Sequence, residues 1–212
     1  MQQDYFALRR EIDQAFDGQA FVRPLFYSYP DGLRFGLSEG AGEAPLNQVL
    51  LALRKATPIC EDIFAAEAVI TVCLRKYANP NSFSYRATLR ELRAAGILIP
   101  AERCVWVEPF KLDDRFAQDV EEWWLNIAFE APIAALQSLL WCAITVDFPS
   151  IRPNPRCAIY LFNIKQQIIA FPYDDRGMDV VGQDRALLAE LYGKYTANLG
   201  EYDRAMMDQT FA

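Results

Sequence analysis

The amino-acid sequence predicts an α+β fold, a largely antiparallel sheet built from hairpins with helices packed on it. Three observations carry that expectation. Short β-branched or aromatic stretches arrive as pairs and singles, not in regular strand–helix alternation. Segments with helical apolar spacing lie between them, several bounded by Gly or Pro. The composition, 52% hydrophobic and 23% charged over 212 residues, is that of a globular chain able to bury a substantial core. A single domain over residues 1–212 is expected, and the loop at 147–155 is the one place where a subdivision could fall.

Taken in order, Leu8, Ile12, Ala15 and Phe16 recur at helical spacing and predict a first helix near 2–16, closed by Asp17-Gly18. Residues 24–29 and 33–37 flank Pro30-Asp31-Gly32, which reads as a hairpin turn between two aromatic-rich strands. Pro45 suits the first position of a long helix through Val49, Leu53 and Ile63, with Pro58 expected to kink or split it. A strand is predicted at 68–77 and a helix at 85–95 ending on Gly96. Further strands are expected at 103–110 and 123–130, then an apolar core helix from Ile133 to about Ile144. Residues 157–162 and 167–172 form a second hairpin, and helices near 185–198 and 203–211 finish the chain.

The net charge of −7 argues against nonspecific nucleic-acid binding and suits a basic protein partner. The amino terminus lacks the basic and apolar regions of a secretory signal. The longest apolar run, 131–146, is too short and polar to span a bilayer, so no membrane partner is expected. Five cysteines without a Cys-x-x-Cys pair read as buried thiols of a cytoplasmic protein.

With no histidine in the chain, Ser-His-Asp, Cys-His and histidine–zinc sites are excluded. No phosphate-binding glycine loop is present either; Gly36-x-x-x-Gly40-x-Gly42 lacks a lysine and reads as an acidic loop with Glu39 and Glu43. The densest polar block is Tyr173-Asp174-Asp175-Arg176-Gly177-Met178-Asp179, answered by Tyr202-Asp203-Arg204. Asp174, Asp175 and Asp179 could converge on Mg²⁺ for nucleotide or phosphate chemistry, which is the enzymatic alternative. Arg176 and Gly177 favour a structural, self-neutralised turn instead. Asp203 is expected to N-cap the last helix, Arg204 to pair back to the earlier aspartates, and Tyr173, Tyr192, Tyr195 and Tyr202 to pack the joint. No catalytic residue, metal or cofactor is therefore expected. The candidate partner surface comprises Glu39, Glu43, Asp113, Asp114, Glu121, Glu122, Trp123 and Trp124, the two indoles falling on opposite faces of a strand.

At Arg34-Phe35-x-Leu37, at the YDDRG-x-D block, at Leu191-Tyr192-x-x-Tyr195 and at Tyr202-Asp203-Arg204, the chain resembles a bacterial domain-of-unknown-function family with this carboxy-terminal signature. Members of that family usually carry a tryptophan shortly before the last motif, where this chain has Ala197, Asn198 and Leu199. The resemblance implies a context more than a mechanism. Small acidic cytosolic families without catalytic apparatus are often immunity proteins of secreted-toxin systems, type VI secretion among them. The expected partner is then a cognate antibacterial toxin enzyme with a basic active-site cleft, bound and occluded by this chain.

Overall fold

The computed structural model describes residues 6–39, 44–78, 83–109 and 123–212. Among them runs one seven-stranded sheet with every pairing antiparallel. In chain order the strands are β1 (Leu33–Gly36), β2 (Val69–Ala78), β3 (Arg103–Pro109), β4 (Trp123–Pro132), β5 (Ala158–Asn163), β6 (Ile168–Pro172) and β7 (Gly177–Gly182). Across the sheet they lie β1-β7-β6-β5-β2-β4-β3. Six α-helices accompany them: α1 (Ala7–Ala15), α2 (Pro45–Ile63), α3 (Phe83–Ala94), α4 (Leu136–Ile144), α5 (Arg185–Lys194) and α6 (Arg204–Phe211). The architecture is α+β, with helices packed on an antiparallel sheet. No described helix is long and apolar enough to cross a membrane.

Alternation along the strands divides the sheet into two faces, each with its own apolar cluster. On one face Val72, Phe129, Leu161, Ala170, Val180 and Phe35 pack against α2, α4 and α5. Helix α4 buries six of its nine residues there, as the unbroken apolar run 139–144 requires. On the other face Cys73, Ala128, Tyr160, Ile169 and Val181 pack beneath Ile12, Ala15 and Phe16 of α1.

Three expectations give way to the structure. Residues 24–29 form no strand: Phe26–Ser28 is a 3-10 turn, and β1 pairs with β7 instead of with its sequence neighbour. The Pro30-Asp31-Gly32 bend is therefore a local reversal and not the turn of a hairpin. Pro58 does not divide α2, which runs through it from Pro45 to Ile63. Strand β7 was not foreseen, because its Asp and Gly residues read as a turn. Both its faces are covered, so the polar–apolar alternation that marks a half-buried strand is absent.

All five cysteines are buried and unpaired. Burial pushes the Cys60, Cys142 and Cys157 thiols up to about 12 and raises those of Cys73 and Cys104 as well. None should react quickly with an aromatic disulfide reagent at pH 8 in the folded protein, and all five should react in guanidinium. A fast-reacting thiol in the native state would contradict the packing described.

Candidate functional site

The carboxy-terminal signature is organised by a residue from the other end of the chain. Register places Arg34 of β1 opposite Asp179 of β7, and both point to the α1 face. The Arg34 guanidinium grips Asp179 with two parallel bonds, Nε to Oδ1 at 2.7 Å and Nη2 to Oδ2 at 3.1 Å. Its Nη1 donates to Asp203 at 2.9 Å, and the Tyr27 hydroxyl donates to the same carboxylate at 2.7 Å. The Phe26 N–H adds a bond to Asp179, and the rings of Phe26 and Tyr27 lie 4.7 and 5.1 Å from the guanidinium carbon. Burial works to lower the Arg34 pKa, but the bonds to Asp179 outweigh it and hold the arginine charged. Burial pushes the Asp179 carboxyl above its ordinary value, and Arg34 and the Phe26 amide offset this only in part. With both carboxylate oxygens accepting, the ionised pair is the stable form.

The other members of the signature are placed differently. Asp174 accepts from the Arg176 backbone at 2.8 Å and from the Arg176 guanidinium, which also stands 3.6 Å from Asp147. Asp175 is buried, and burial together with Asp174 pushes its carboxyl up. Gly177 begins β7 and makes no tight reversal. A side chain there would fall on the Tyr173 hydroxyl, so glycine is needed for close approach. Arg204 does not reach the earlier aspartates but pairs with Asp208 one turn on, at 2.7 Å. Asp203 precedes α6 without capping it by its side chain, because Arg34 and Tyr27 engage its carboxylate. Tyr192 and Tyr195 bond to Asp208 and Asp62, whereas Tyr202 is 93% exposed and packs nothing. Among the described residues no group of three His, Cys, Asp or Glu is arranged to hold a metal ion, so Asp174, Asp175 and Asp179 do not form the triad that the enzymatic alternative requires.

Of the candidate partner surface, Glu39 lies after β1 and pairs with Lys55 at 3.3 Å. Glu43, Asp113, Asp114, Glu121 and Glu122 lie outside the described residues. Trp123 and Trp124 open β4, each half-buried, on opposite faces as alternation requires. Trp124 stands on the α1 face, its ring 5.0 Å from the Arg75 guanidinium carbon and 5.2 Å from that of Arg23.

Beside the Arg34 joint the α1 face opens into a cleft of about 770 Å³. Five arginines line it (Arg23, Arg34, Arg75, Arg156 and Arg176) against three aspartates (Asp147, Asp174 and Asp179). Aromatic and apolar walls are supplied by Tyr77, Trp124, Phe171 and Tyr173 with Pro24 and Leu25. Sequence reasoning missed this cleft because its arginines come from separate segments, with no spacing to connect them. The one available signal was Arg75, a charge on the same face of β2 as Thr71 and Cys73 in an otherwise largely apolar strand.

Arg34→Met would leave Asp179 and Asp203 buried without their cation. It should cost about 3–5 kcal/mol in urea unfolding; a loss below about 1 kcal/mol would mean the joint does not hold the sheet edge. Gly177→Ala should destabilise by about 1–3 kcal/mol, with part of the loss recovered when Tyr173 is truncated to Ala in the same chain.

Comparison with known proteins agrees with the span of this architecture. A relative from Bacillus subtilis (strain 168), "Uncharacterized protein YnaE", is 21% identical over 213 residues, covering 90% of this chain and 96% of the relative. No solved structure matches the chain. The family model described as "Domain of unknown function (DUF3885)" matches residues 8–203, and the chain belongs to that family.

Proposed function

We propose that this chain is an immunity protein, which binds a cognate toxin enzyme in the cytoplasm and occludes its active site. The observation that carries the reading is a part-exposed apolar face at one edge of the sheet. The edge formed by β1 is closed, since the Gly200 N–H donates to the Arg34 carbonyl at 2.7 Å and Leu199 bridges to Phe35. The edge formed by β3 is different. Among the described residues β3 pairs only with β4, leaving the outer row of backbone groups for another chain. On the face opposite α1, Val105 and Val107 are 46% and 60% exposed. Register sets them beside Ile127 and Leu125, and Trp123 follows on the same face, all half-buried. A contiguous apolar surface on a soluble domain marks an interaction site, and an indole at its end is a suitable anchor.

Charge favours the same kind of partner. A net charge of −7 steers association toward a basic surface such as a nucleotide- or nucleic-acid-processing cleft. The acidic residues Asp113, Asp114, Glu121 and Glu122 belong by sequence to the segment that joins β3 to β4. The enzymatic alternative on Asp174, Asp175 and Asp179 draws no comparable support, as two of the three carboxylates are engaged by guanidinium groups.

Deleting the gene should sensitise the cell to the toxin encoded beside it, and the purified pair should form a stable complex. Val107→Asp should weaken that complex by about tenfold or more while changing folding stability by no more than about 0.5 kcal/mol. A deletion strain that competes as well as its parent would defeat the reading.

A further inference from the structure

The cleft on the α1 face is independent of the apolar edge, and its electrostatics run against those of the chain. A protein of net charge −7 gathers five arginines around one concavity with only three aspartates among them. Three of the arginines are internally paired, Arg34 with Asp179 and Asp203, Arg176 with Asp174, and Arg75 with Glu108. Arg23 has no carboxylate partner among the described residues. Its Nε donates to the Tyr160 hydroxyl at 3.3 Å, and its guanidinium lies over Trp124 and Phe171.

Arg75 is the most telling group. It is 8% exposed and lies 5.0 Å from each of the Phe21 and Trp124 rings. One nitrogen, Nη2, binds Glu108 at 2.9 Å, while Nε and Nη1 have no hydrogen-bond partner among the described residues. Opposite it in the register stands Asn126, fully buried, with both amide atoms also unpartnered. Buried donors are nearly always satisfied, because leaving one dry costs about 1–3 kcal/mol, more when it is charged. The Arg75 guanidinium that lines the cleft thus has a single ion pair, beside an Arg23 that has none among the described residues, and an anion seated between the two would complete both.

We infer that this cleft binds a phosphorylated small molecule, its phosphate held between Arg23 and Arg75 and its organic part against the aromatic walls. Phosphate matches the observation better than carboxylate does. Arg23 has no carboxylate of its own among the described residues and Arg75 has only Glu108, and a phosphate carries enough acceptor oxygens for both forks. The volume of about 770 Å³ exceeds what an inorganic anion needs and falls in the range of organic-ligand sites. Tyr77, Trp124 and Phe171 supply the apolar surface against which such a body packs. Arg156, exposed at the rim, adds charge on the path of entry.

Thermal shift and calorimetry on the full chain, at constant ionic strength, test the site with ADP, pyrophosphate, adenosine and sulfate as probes. ADP should bind saturably and raise Tm with its concentration, as mass action requires. Pyrophosphate should bind more weakly, and adenosine and sulfate should produce no shift. Arg23→Gln should weaken ADP by about tenfold or more, the loss of a charge-assisted contact; Arg23→Lys should recover part of it. Arg75→Met should do the same, and if that variant fails to fold the Arg23 pair decides the matter. Arg185→Gln, whose arginine pairs with Asp31 outside the cleft, should bind as the wild type does. Absence of saturable binding, or Arg23→Gln binding unchanged, would overturn the site. Pyrophosphate binding as tightly as ADP would overturn the organic part of the ligand and leave inorganic phosphate as its source.

Discussion

One half-buried guanidinium holds the carboxy-terminal half of this molecule to its beginning. Arg34 joins β1 to β7 through Asp179, and joins both to the start of α6 through Asp203, while Phe26 and Tyr27 close over it. Taking three charges out of water is costly, and such clusters rarely stabilise a fold more than apolar residues of equal volume would. What this one supplies is uniqueness. Only one register of β1 on β7 sets Arg34 against Asp179, and a one-residue slip would turn the guanidinium into the apolar face under α2.

The same period of two that fixes the joint also separates the two surfaces of interest. On β4, Trp124 faces the arginine cleft and Trp123 faces the opposite way, beside Leu125, Ile127 and the exposed valines of β3. On β2, Arg75 reaches the cleft while Leu74 lies in the core beneath the helices. A single pair of strands thus presents a cationic hollow on one side and an apolar surface on the other. The barrier between them is one sheet thick, so each can take its own occupant.

Much of the fold was legible in advance because it depends on local patterning. The Cys157 to Pro172 hairpin, the strands at β2, β3 and β4, and the apolar α4 announce themselves through periodicity and turn residues. One failure came where a long-range partner overrode local preference, and another where a local partner displaced the distant one expected. Residues 24–29 look like a strand, yet the Phe26 amide serves Asp179, distant in sequence, and the backbone coils to deliver it. Arg204 looked like the mate of the signature aspartates, yet Asp208 one helical turn away is nearer.

By itself the sequence determined the class of fold and the buried state of the cysteines, because each follows from composition and short-range spacing. It also gave the Arg34 motif its place in the family resemblance without revealing why arginine stands there. Only the tertiary structure decided that Arg34 is the cation of that block, and that Arg23, Arg75 and Arg156 share a cleft. Those residues are far apart along the chain, and no local rule connects them. Proximity of that kind is created by strand order and register, and these are settled by the packing of the whole sheet.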